Sequence, residues 1–314
     1  MNITAPRPPV IMLMGPTAVG KTDLAIELHE QLGVELVSVD SALVYRGMDI
    51  GTAKPSAQEL SRAPHRLIDI LDPSEPYSGM AFRDDALQCI AEITARGRVP
   101  LLVGGTMLYF RLLTEGAADM PQADPAIRQA LGELLEKGGP RALHDELARV
   151  DPEAAARLHP NDPQRLMRAL EVYRASGETL SAHWARQSPV TLPFTPHPIA
   201  LLPGNRKQLH ERIGQRLDKM FADGFVEEVE RLRARGDLSP DLPSMKSVGY
   251  RQVWEGLDRF EDRPQMAFRA LTATRQLAKR QMTWLRRWPG ALQLDPQDAG
   301  IVQRVLKIVR DIGT

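Results

Sequence analysis

The segment with the clearest chemistry is a glycine-rich loop near the start of the chain. It reads Gly15-Pro16-Thr17-Ala18-Val19-Gly20-Lys21-Thr22 and matches the pattern G-x-x-x-x-G-K-[ST] at every fixed position. An apolar run precedes it and a helical pattern follows it, which is the strand, loop and helix order of a phosphate-binding loop. The backbone N–H groups of such a loop and the N-terminus of its helix bind phosphate oxygens. We expect Lys21 to contact the outer phosphates and Thr22 to help hold Mg²⁺.

Strand and helix patterns alternate through the first third of the chain. Apolar runs predict strands at residues 10–14, 34–39, 66–70 and 99–103, with helical patterns between them. This alternation predicts an α/β fold, with a largely parallel sheet flanked by helices as in the P-loop NTPase core. Sheets of this kind bind ligands at the carboxyl ends of their strands.

Two polar side chains follow the predicted strands at that edge. Asp40 comes directly after the second strand, and Thr106 follows the strand at 99–103 through two glycines. A carboxylate there could act as a general base or, through water, as a metal ligand, and a threonine hydroxyl could orient a reacting group. A helix N-cap for Asp40 and a turn hydroxyl for Thr106 are the structural alternatives.

The composition changes after residue 119 to continuous helical patterning with few β-branched runs. We expect an α/β core over 1–119, an all-helical insertion domain over 120–198 and a return to the core over 199–314. A short strand near 199–202 would rejoin the sheet. Helical patterns then follow at 206–235, 249–257, 263–288 and 300–312.

Length and composition limit the class of protein. The 314 residues, 43% hydrophobic and 25% charged, suffice for a full buried core. No run reaches the roughly 18 to 20 apolar residues that span a bilayer, and residues 1–9 lack the apolar core of a signal peptide. We therefore expect a cytoplasmic protein with no membrane partner. The single cysteine, Cys89, cannot supply a disulfide framework or a cysteine zinc site.

The formal net charge is zero, but positive charge is concentrated near the end of the chain. Residues 265–290 contain no acidic residue and the basic residues Arg269, Arg275, Lys279, Arg280, Arg286 and Arg287. Such a segment is typical of a surface that binds a polyanion. A solvated helical face is the alternative interpretation.

Several separated stretches resemble the tRNA dimethylallyltransferases of the bacterial type. They are the loop at 15–22 and residues 40–41, 45–55, 104–106, 162–165, 247–252 and 274–281. The resemblance covers nearly the whole chain. Eukaryotic relatives carry an added zinc-finger tail, and this chain, with one cysteine and an early end, resembles the bacterial form. Members of the family are generally monomeric, so a monomer is expected.

The resemblance implies a reaction and roles for three residues. A dimethylallyl group would pass from dimethylallyl diphosphate to N6 of the adenosine at tRNA position 37, with the loop binding the diphosphate leaving group. Asp40 would be the general base, Thr106 would position the amine or donate to the diphosphate, and Arg216 would reach the diphosphate. A salt bridge within its helix is the structural alternative for Arg216.

The resemblance also implies contacts with the anticodon stem-loop of tRNA. The residues concerned are Asp40, Ser41, Ala42, Leu43, Thr106, Arg128, Gln164, Arg165, Leu166, Met167, Arg168, Lys246, Ser247, Val248, Gly249, Tyr250 and Arg251. The basic segment at 269–287 would bind backbone phosphates.

Three other functions share part of this pattern. An isopentenyltransferase acting on free AMP or ADP would use the same loop and Asp40, although a mononucleotide requires neither the helical insertion nor the basic segment. A small-molecule kinase using ATP is favoured by the loop alone. An RNA-binding protein with a nucleotide switch would leave Asp40, Thr106 and Arg216 without a purpose.

Overall fold

A six-stranded parallel sheet forms the centre of the fold. The computed structural model describes residues 7–118, 120–121, 124–186 and 190–313. The strands are β1 (Pro9–Met14), β2 (Glu35–Val39), β3 (His65–Arg66), β4 (Pro100–Gly104), β5 (Thr195–Leu201) and β6 (Leu292–Leu294). Their order across the sheet is β3-β2-β4-β1-β5-β6, and every neighbouring pair is parallel. The expected α/β fold is confirmed.

Helices cover both faces of this sheet. Those before the insertion are α1 (Lys21–Leu32), α2 (Ala57–Arg62), α3 (Gly79–Ala95) and α4 (Met107–Glu115). Those after it are α9 (Arg206–Ala222), α10 (Phe225–Ala234), α11 (Tyr250–Asp258), α12 (Arg263–Leu285) and α13 (Ile301–Gly313). Residues 10–14 of β1 are fully buried, because alternate side chains enter the clusters on the two faces of the sheet. A strand buried on both faces appears in the sequence as a continuous apolar run, as it does here.

The chain divides into two compact units. One comprises Met1–Thr114 with Leu192–Thr314, and the other comprises Glu115–Thr191. The second unit contains α5 (Pro125–Val150), α6 (Pro152–Arg157), α7 (Pro163–Ser176) and α8 (Leu180–Ala185), packed around their own leucine-rich core. Its limits differ by several residues from the 120–198 expected from composition. Among the residues described in either unit, no helix is both long and apolar enough to cross a bilayer.

Two of the differences from expectation lie where the backbone enters the left-handed region. Gly224, with φ of 99°, separates α9 from α10, so the pattern at 206–235 is two helices. Leu67 and Asp69 have φ of 62° and 55°, and β3 therefore ends at Arg66 instead of continuing to residue 70. β5 begins at Thr195, earlier than the expected 199, and the three-residue β6 was not predicted.

A buried carboxylate anchors one loop of the first unit. Glu228, on α10, is only 3% exposed and accepts hydrogen bonds from the backbone N–H groups of Asp49, Ile50 and Gly51 at 3.0, 2.8 and 3.1 Å. The hydroxyl of Tyr250 donates to the same carboxylate. One side chain therefore fixes the loop that follows β2 against both α10 and α11.

Replacing Glu228 with Gln should destabilise the protein, because an amide nitrogen would face backbone donors that now meet a carboxylate oxygen. Hydrogen bonds to a charged group contribute about 1.5–3 kcal/mol each, so we expect the free energy of unfolding to fall by about 2 kcal/mol or more. Urea denaturation of Glu228→Gln measures this. Glu230→Gln, at an exposed position of the same helix, is the matched control. Equal unfolding midpoints for the two variants would contradict this role for Glu228.

Candidate active site

The glycine-rich loop joins β1 to α1, as the motif predicted. Gly20 has φ of 98°, a left-handed conformation that glycine adopts without strain. A side chain at Gly15 would lie 2.7 Å from Val19 Cγ1, so the tight turn also requires glycine there. Lys21 Nζ donates to the carbonyl oxygens of Gly15 and Pro16 at 2.9 and 2.8 Å. The ammonium group therefore lies against the loop, and Thr22 follows it in the first turn of α1.

Two half-buried basic side chains, Lys21 and Arg216, lie at this loop. Removal from water is the main cause that lowers the pKa of Lys21 to about 7, with Asp40 acting in the opposite direction and Arg216 in the same one. Burial also lowers the pKa of Arg216, again against the effect of Asp40. Both cations are therefore close enough to one carboxylate to interact with it. An anion with several charges would compensate them further.

Two arginines of α9 reach the loop. A guanidinium nitrogen of Arg216 donates to Thr17 Oγ1, which holds this side chain at the phosphate loop as expected. Arg212 lies one turn earlier in the helix, and a side chain at Gly20 would come 3.3 Å from its Nη2 atom. Arg216 is therefore bound at the loop, and the surface ion pair considered for it is not the contact observed.

Asp40 and Thr106 lie at the carboxyl ends of the neighbouring strands β2 and β4. Asp40 Oδ1 accepts from the backbone N–H groups of Ala42 and Leu43 at 2.9 and 3.4 Å. Thr106 Oγ1 accepts from the N–H group of Ser41 at 3.1 Å. No helix begins at Asp40, so these N–H contacts close a turn instead of capping a helix, and the Thr106 hydroxyl bonds to the segment after β2 instead of within its own turn. The contacts hold both side chains at the edge of the sheet beside the loop.

In the helical unit, a buried carboxylate orients two of the predicted tRNA-binding arginines. Glu171 is 1% exposed, and its oxygens accept from Arg128 Nε at 2.7 Å and Arg168 Nη1 at 2.8 Å. Arg168 Nη2 also donates to the carbonyl of Pro121 at 2.9 Å. The Arg168 guanidinium is therefore held at two atoms and that of Arg128 at Nε, while 60% of the Arg128 side chain stays exposed.

Other predicted tRNA-binding residues differ in their accessibility. Lys246 and Arg251 are exposed, as are Gln164 and Arg165, whereas Met167, Ser247 and Val248 are half-buried. Leu166 and Tyr250 are fully buried, and Gly249 packs beneath Phe225. Direct tRNA contact by the side chains of Leu166 and Tyr250 is therefore not supported, because they complete the hydrophobic clusters of their own units.

One residue of the basic segment, Arg269, forms ion pairs with neighbouring carboxylates. Arg269 Nη1 contacts both oxygens of Glu261 at 3.0 Å, and its Nη2 donates to Glu255. These ion pairs join the end of α11 to α12. Arg275, Lys279, Arg280, Arg286 and Arg287 are exposed. These five residues therefore remain candidates for phosphate binding, whereas Arg269 is held by Glu255 and Glu261.

Gln281 is a further residue of the site, and no pattern in the sequence indicated its role. Its Oε1 accepts from the N–H group of Thr17 at 2.9 Å, and its Nε2 donates to the carbonyl of Gly105 at 2.8 Å. The residue lies in the stretch at 274–281 that carried the family resemblance. A glutamine among basic residues gave no signal of its own, because its partners are distant in sequence.

Comparison with known proteins identifies the family. A family model described as IPP transferase matches residues 43–288. The chain belongs to this family. A model described as isopentenyl transferase also matches residues 8–74. A tRNA dimethylallyltransferase of Chromohalobacter salexigens is 56% identical over 98% of this chain and 99% of that relative. The family resemblance read from the motifs is confirmed.

Solved structures of this family share the fold. The tRNA isopentenylpyrophosphate transferase of Bacillus halodurans is 36% identical with a TM-score of 0.71, covering 97% of this chain and 96% of that one. A eukaryotic dimethylallyltransferase acting on tRNA is 28% identical with a TM-score of 0.80, covering 97% of this chain and 79% of its own. By its membership of this family the chain is a transferase.

The lowered pKa of Lys21 predicts proton uptake when the loop binds an anion. At about pH 8 the amine is mostly neutral in the free protein, and a bound diphosphate favours the ammonium form. Binding of inorganic diphosphate with Mg²⁺ should then take up about one more proton in the wild type than in Lys21→Arg, whose guanidinium stays charged.

Calorimetry in two buffers of different ionisation enthalpy measures this difference, and the comparison cancels any proton that diphosphate itself exchanges. At about pH 6 the two proteins should agree, since Lys21 is then already charged. If the wild type and Lys21→Arg take up equal numbers of protons at both pH values, Lys21 is already charged before the anion binds.

Proposed function

We propose that this IPP transferase moves a dimethylallyl group from dimethylallyl diphosphate to N6 of the adenosine at position 37 of tRNA. The observation that carries the proposal is the placement of Asp40 and Thr106 beside a phosphate loop that also binds Arg216. Two cations would face the leaving group while a carboxylate faces the nucleophile. We also infer that the protein acts as a cytoplasmic monomer, as the family resemblance implies.

The phosphate loop would stabilise the departing diphosphate. As the bond between C1 of the dimethylallyl group and oxygen breaks, the electron pair leaves with the diphosphate. Lys21, Arg216 and the backbone N–H groups at the start of α1 would stabilise the negative charge that develops there, and the contact of Arg216 with Thr17 supports this role. Lys21 would exchange its two carbonyl partners for phosphate oxygens.

The adenine amine is a weak nucleophile, because its lone pair is delocalised into the ring. In the proposed step N6 forms a bond to C1, and its proton passes to a carboxylate oxygen of Asp40. The backbone N–H groups of Ala42 and Leu43 hold Oδ1 of that carboxylate in place. Thr106 would orient the amine from the adjacent strand.

Two oxygen-bearing side chains of the site, Thr22 and Asp40, are suited to binding Mg²⁺. No group of three or more His, Cys, Asp or Glu side chains in the described residues could enclose a metal ion. Mg²⁺ commonly binds through one or two protein oxygens, with water and substrate phosphates completing its coordination. The Thr22 hydroxyl, and Asp40 through water, would supply those protein oxygens. Bound there, the ion would neutralise charge on the diphosphate.

Each unit, taken by itself, carries residues that would contact tRNA. Arg128 and Arg168 present guanidinium groups fixed by Glu171, and the five exposed basic residues of α12 and the turn after it could neutralise backbone phosphates. Ser41, Ala42 and Leu43 follow the proposed base directly and would contact the nucleotides around the extruded adenosine. Unstacking a base of a single-stranded loop costs only a few kcal/mol.

Asp40→Asn should abolish most prenyl transfer while leaving tRNA binding intact. General base catalysis contributes about 10²- to 10⁴-fold, so the transfer rate should fall by that factor. The assay follows the mass gain of unmodified tRNA with Mg²⁺ and dimethylallyl diphosphate, alongside reactions without Mg²⁺.

Parallel reactions with AMP and ADP, and with ATP in place of the prenyl donor, separate the other functions. Mass gain on AMP or ADP would favour the mononucleotide enzyme, and hydrolysis or phosphoryl transfer from ATP would favour a kinase. Unchanged prenyl transfer by Asp40→Asn would remove Asp40 as the base.

Arg275 and Arg269 provide a matched test of the tRNA surface on α12. Arg275→Gln should weaken tRNA binding and reduce by about 1 the slope of log K against log of the salt concentration, because it removes one phosphate contact. Arg269→Gln should leave that slope unchanged and lower stability instead, since its partners are Glu255 and Glu261. Filter binding over a salt series measures the slopes of both variants. Identical slopes for Arg275→Gln and the wild type would exclude Arg275 from the interface.

A further inference from the structure

The side chain of Gln281 connects two loops of the site. It projects from the inner face of α12 and is only 9% exposed. As described above, its carbonyl oxygen accepts from the N–H group of Thr17 and its amide nitrogen donates to the carbonyl of Gly105. Because both ends of a buried amide are hydrogen-bonded, its orientation is fixed.

Each partner of Gln281 adjoins a proposed functional group. Thr17, on the phosphate loop, also accepts from Arg216 through its hydroxyl. Gly105 directly precedes Thr106, which reaches the segment after Asp40 through Ser41. Gln281 therefore lies between the groups that would hold the diphosphate and the groups that would hold the adenine amine.

Glycine at position 105 is needed for this close approach. A side chain there would lie 2.5 Å from Gln281 Nε2 and 3.2 Å from the carbonyl oxygen of Gly15. The two loops are also joined without Gln281, because the N–H group of Gly15 donates to the carbonyl of Gly104 at 3.3 Å. The backbone contact can keep the loops adjacent, and Gln281 adds a second connection that fixes how they are oriented.

We propose that Gln281 is a positioning residue that sets the distance between the phosphate loop and Thr106, and thereby between the diphosphate and the attacked amine. It contacts neither substrate in this role. The inference rests on the proposed transfer reaction and on the roles proposed for Thr106 and Arg216. In a transfer reaction the donor carbon and the nucleophile must meet in line, and a misplacement of about 1 Å can slow catalysis by about 10²-fold.

The test replaces Gln281 with Met, which has a similar volume but makes neither hydrogen bond. Single-turnover transfer is measured with enzyme in excess over tRNA and saturating dimethylallyl diphosphate, because that rate constant does not depend on the fraction of folded enzyme. We expect Gln281→Met to slow transfer by about 10- to 100-fold, with the Kd for tRNA changed less than about twofold.

Met282→Leu is the matched control. Met282 is the next residue of α12 and is also buried, but it packs among apolar side chains between α9 and α12. It should react at the wild-type rate. If Gln281→Met does not fold, Gln281→Asn serves instead, since its shorter side chain cannot reach both loops. Wild-type single-turnover rates in the Gln281 variant, or equal slowing in Met282→Leu, would refute the proposal.

A double-mutant cycle with Thr106→Ala tests the mechanism of the effect. If Gln281 acts by placing Thr106, the two substitutions together should slow transfer by less than the product of their separate effects. Multiplicative effects would show that Gln281 does not act through Thr106.

Comparison with Asp40→Asn separates this inference from the proposed function. Slow transfer by Gln281→Met beside normal transfer by Asp40→Asn would keep the positioning role and remove the base. Normal transfer by Gln281→Met beside inactive Asp40→Asn would refute the positioning role alone.

Discussion

The concentration of positive charge at the phosphate loop is the condition on which the site depends. Lys21 and Arg216 are both half-buried, and both interact with the single carboxylate of Asp40. Two carbonyl groups and a threonine hydroxyl complete their polar contacts. Cations held in this way cost free energy in the free protein and attract an anion of several charges. The sheet, α1 and α9 therefore have to be rigid enough to hold them in place.

Buried carboxylates provide comparable rigidity away from the loop. Glu228 fixes the segment after β2 against two helices, and Glu171 orients two arginines that remain accessible at the surface. α12 combines both functions, because its outer face carries exposed basic residues while Gln281 on its inner face holds two loops. Residues proposed to bind substrate are thus attached directly to residues that hold the fold.

Local sequence patterns predicted the elements that depend on local chemistry. The loop at 15–22, the parallel sheet and the positions of Asp40 and Thr106 followed from apolar runs and from the strand-end rule. The boundary between α9 and α10 and the early end of β3 depend on left-handed residues, which a periodic pattern does not reveal. The roles of Gln281 and Glu228 depend on backbone groups more than 170 residues away, and the burial of Tyr250 depends on packing against distant apolar residues such as Val44 and Met48. Only the folded chain brings these groups together.

The position of β5 has a consequence for synthesis of the chain. β1 lies inside the sheet and pairs with β4 on one side and β5 on the other. Its partner β5 is encoded only after the entire helical unit. At translation rates of about 5–20 residues per second, one hydrogen-bonding edge of β1 therefore waits on the order of ten seconds or longer for its partner. During that interval the emerging chain exposes an unpaired strand suited to non-native association, and chaperones that shield such edges would act at this stage.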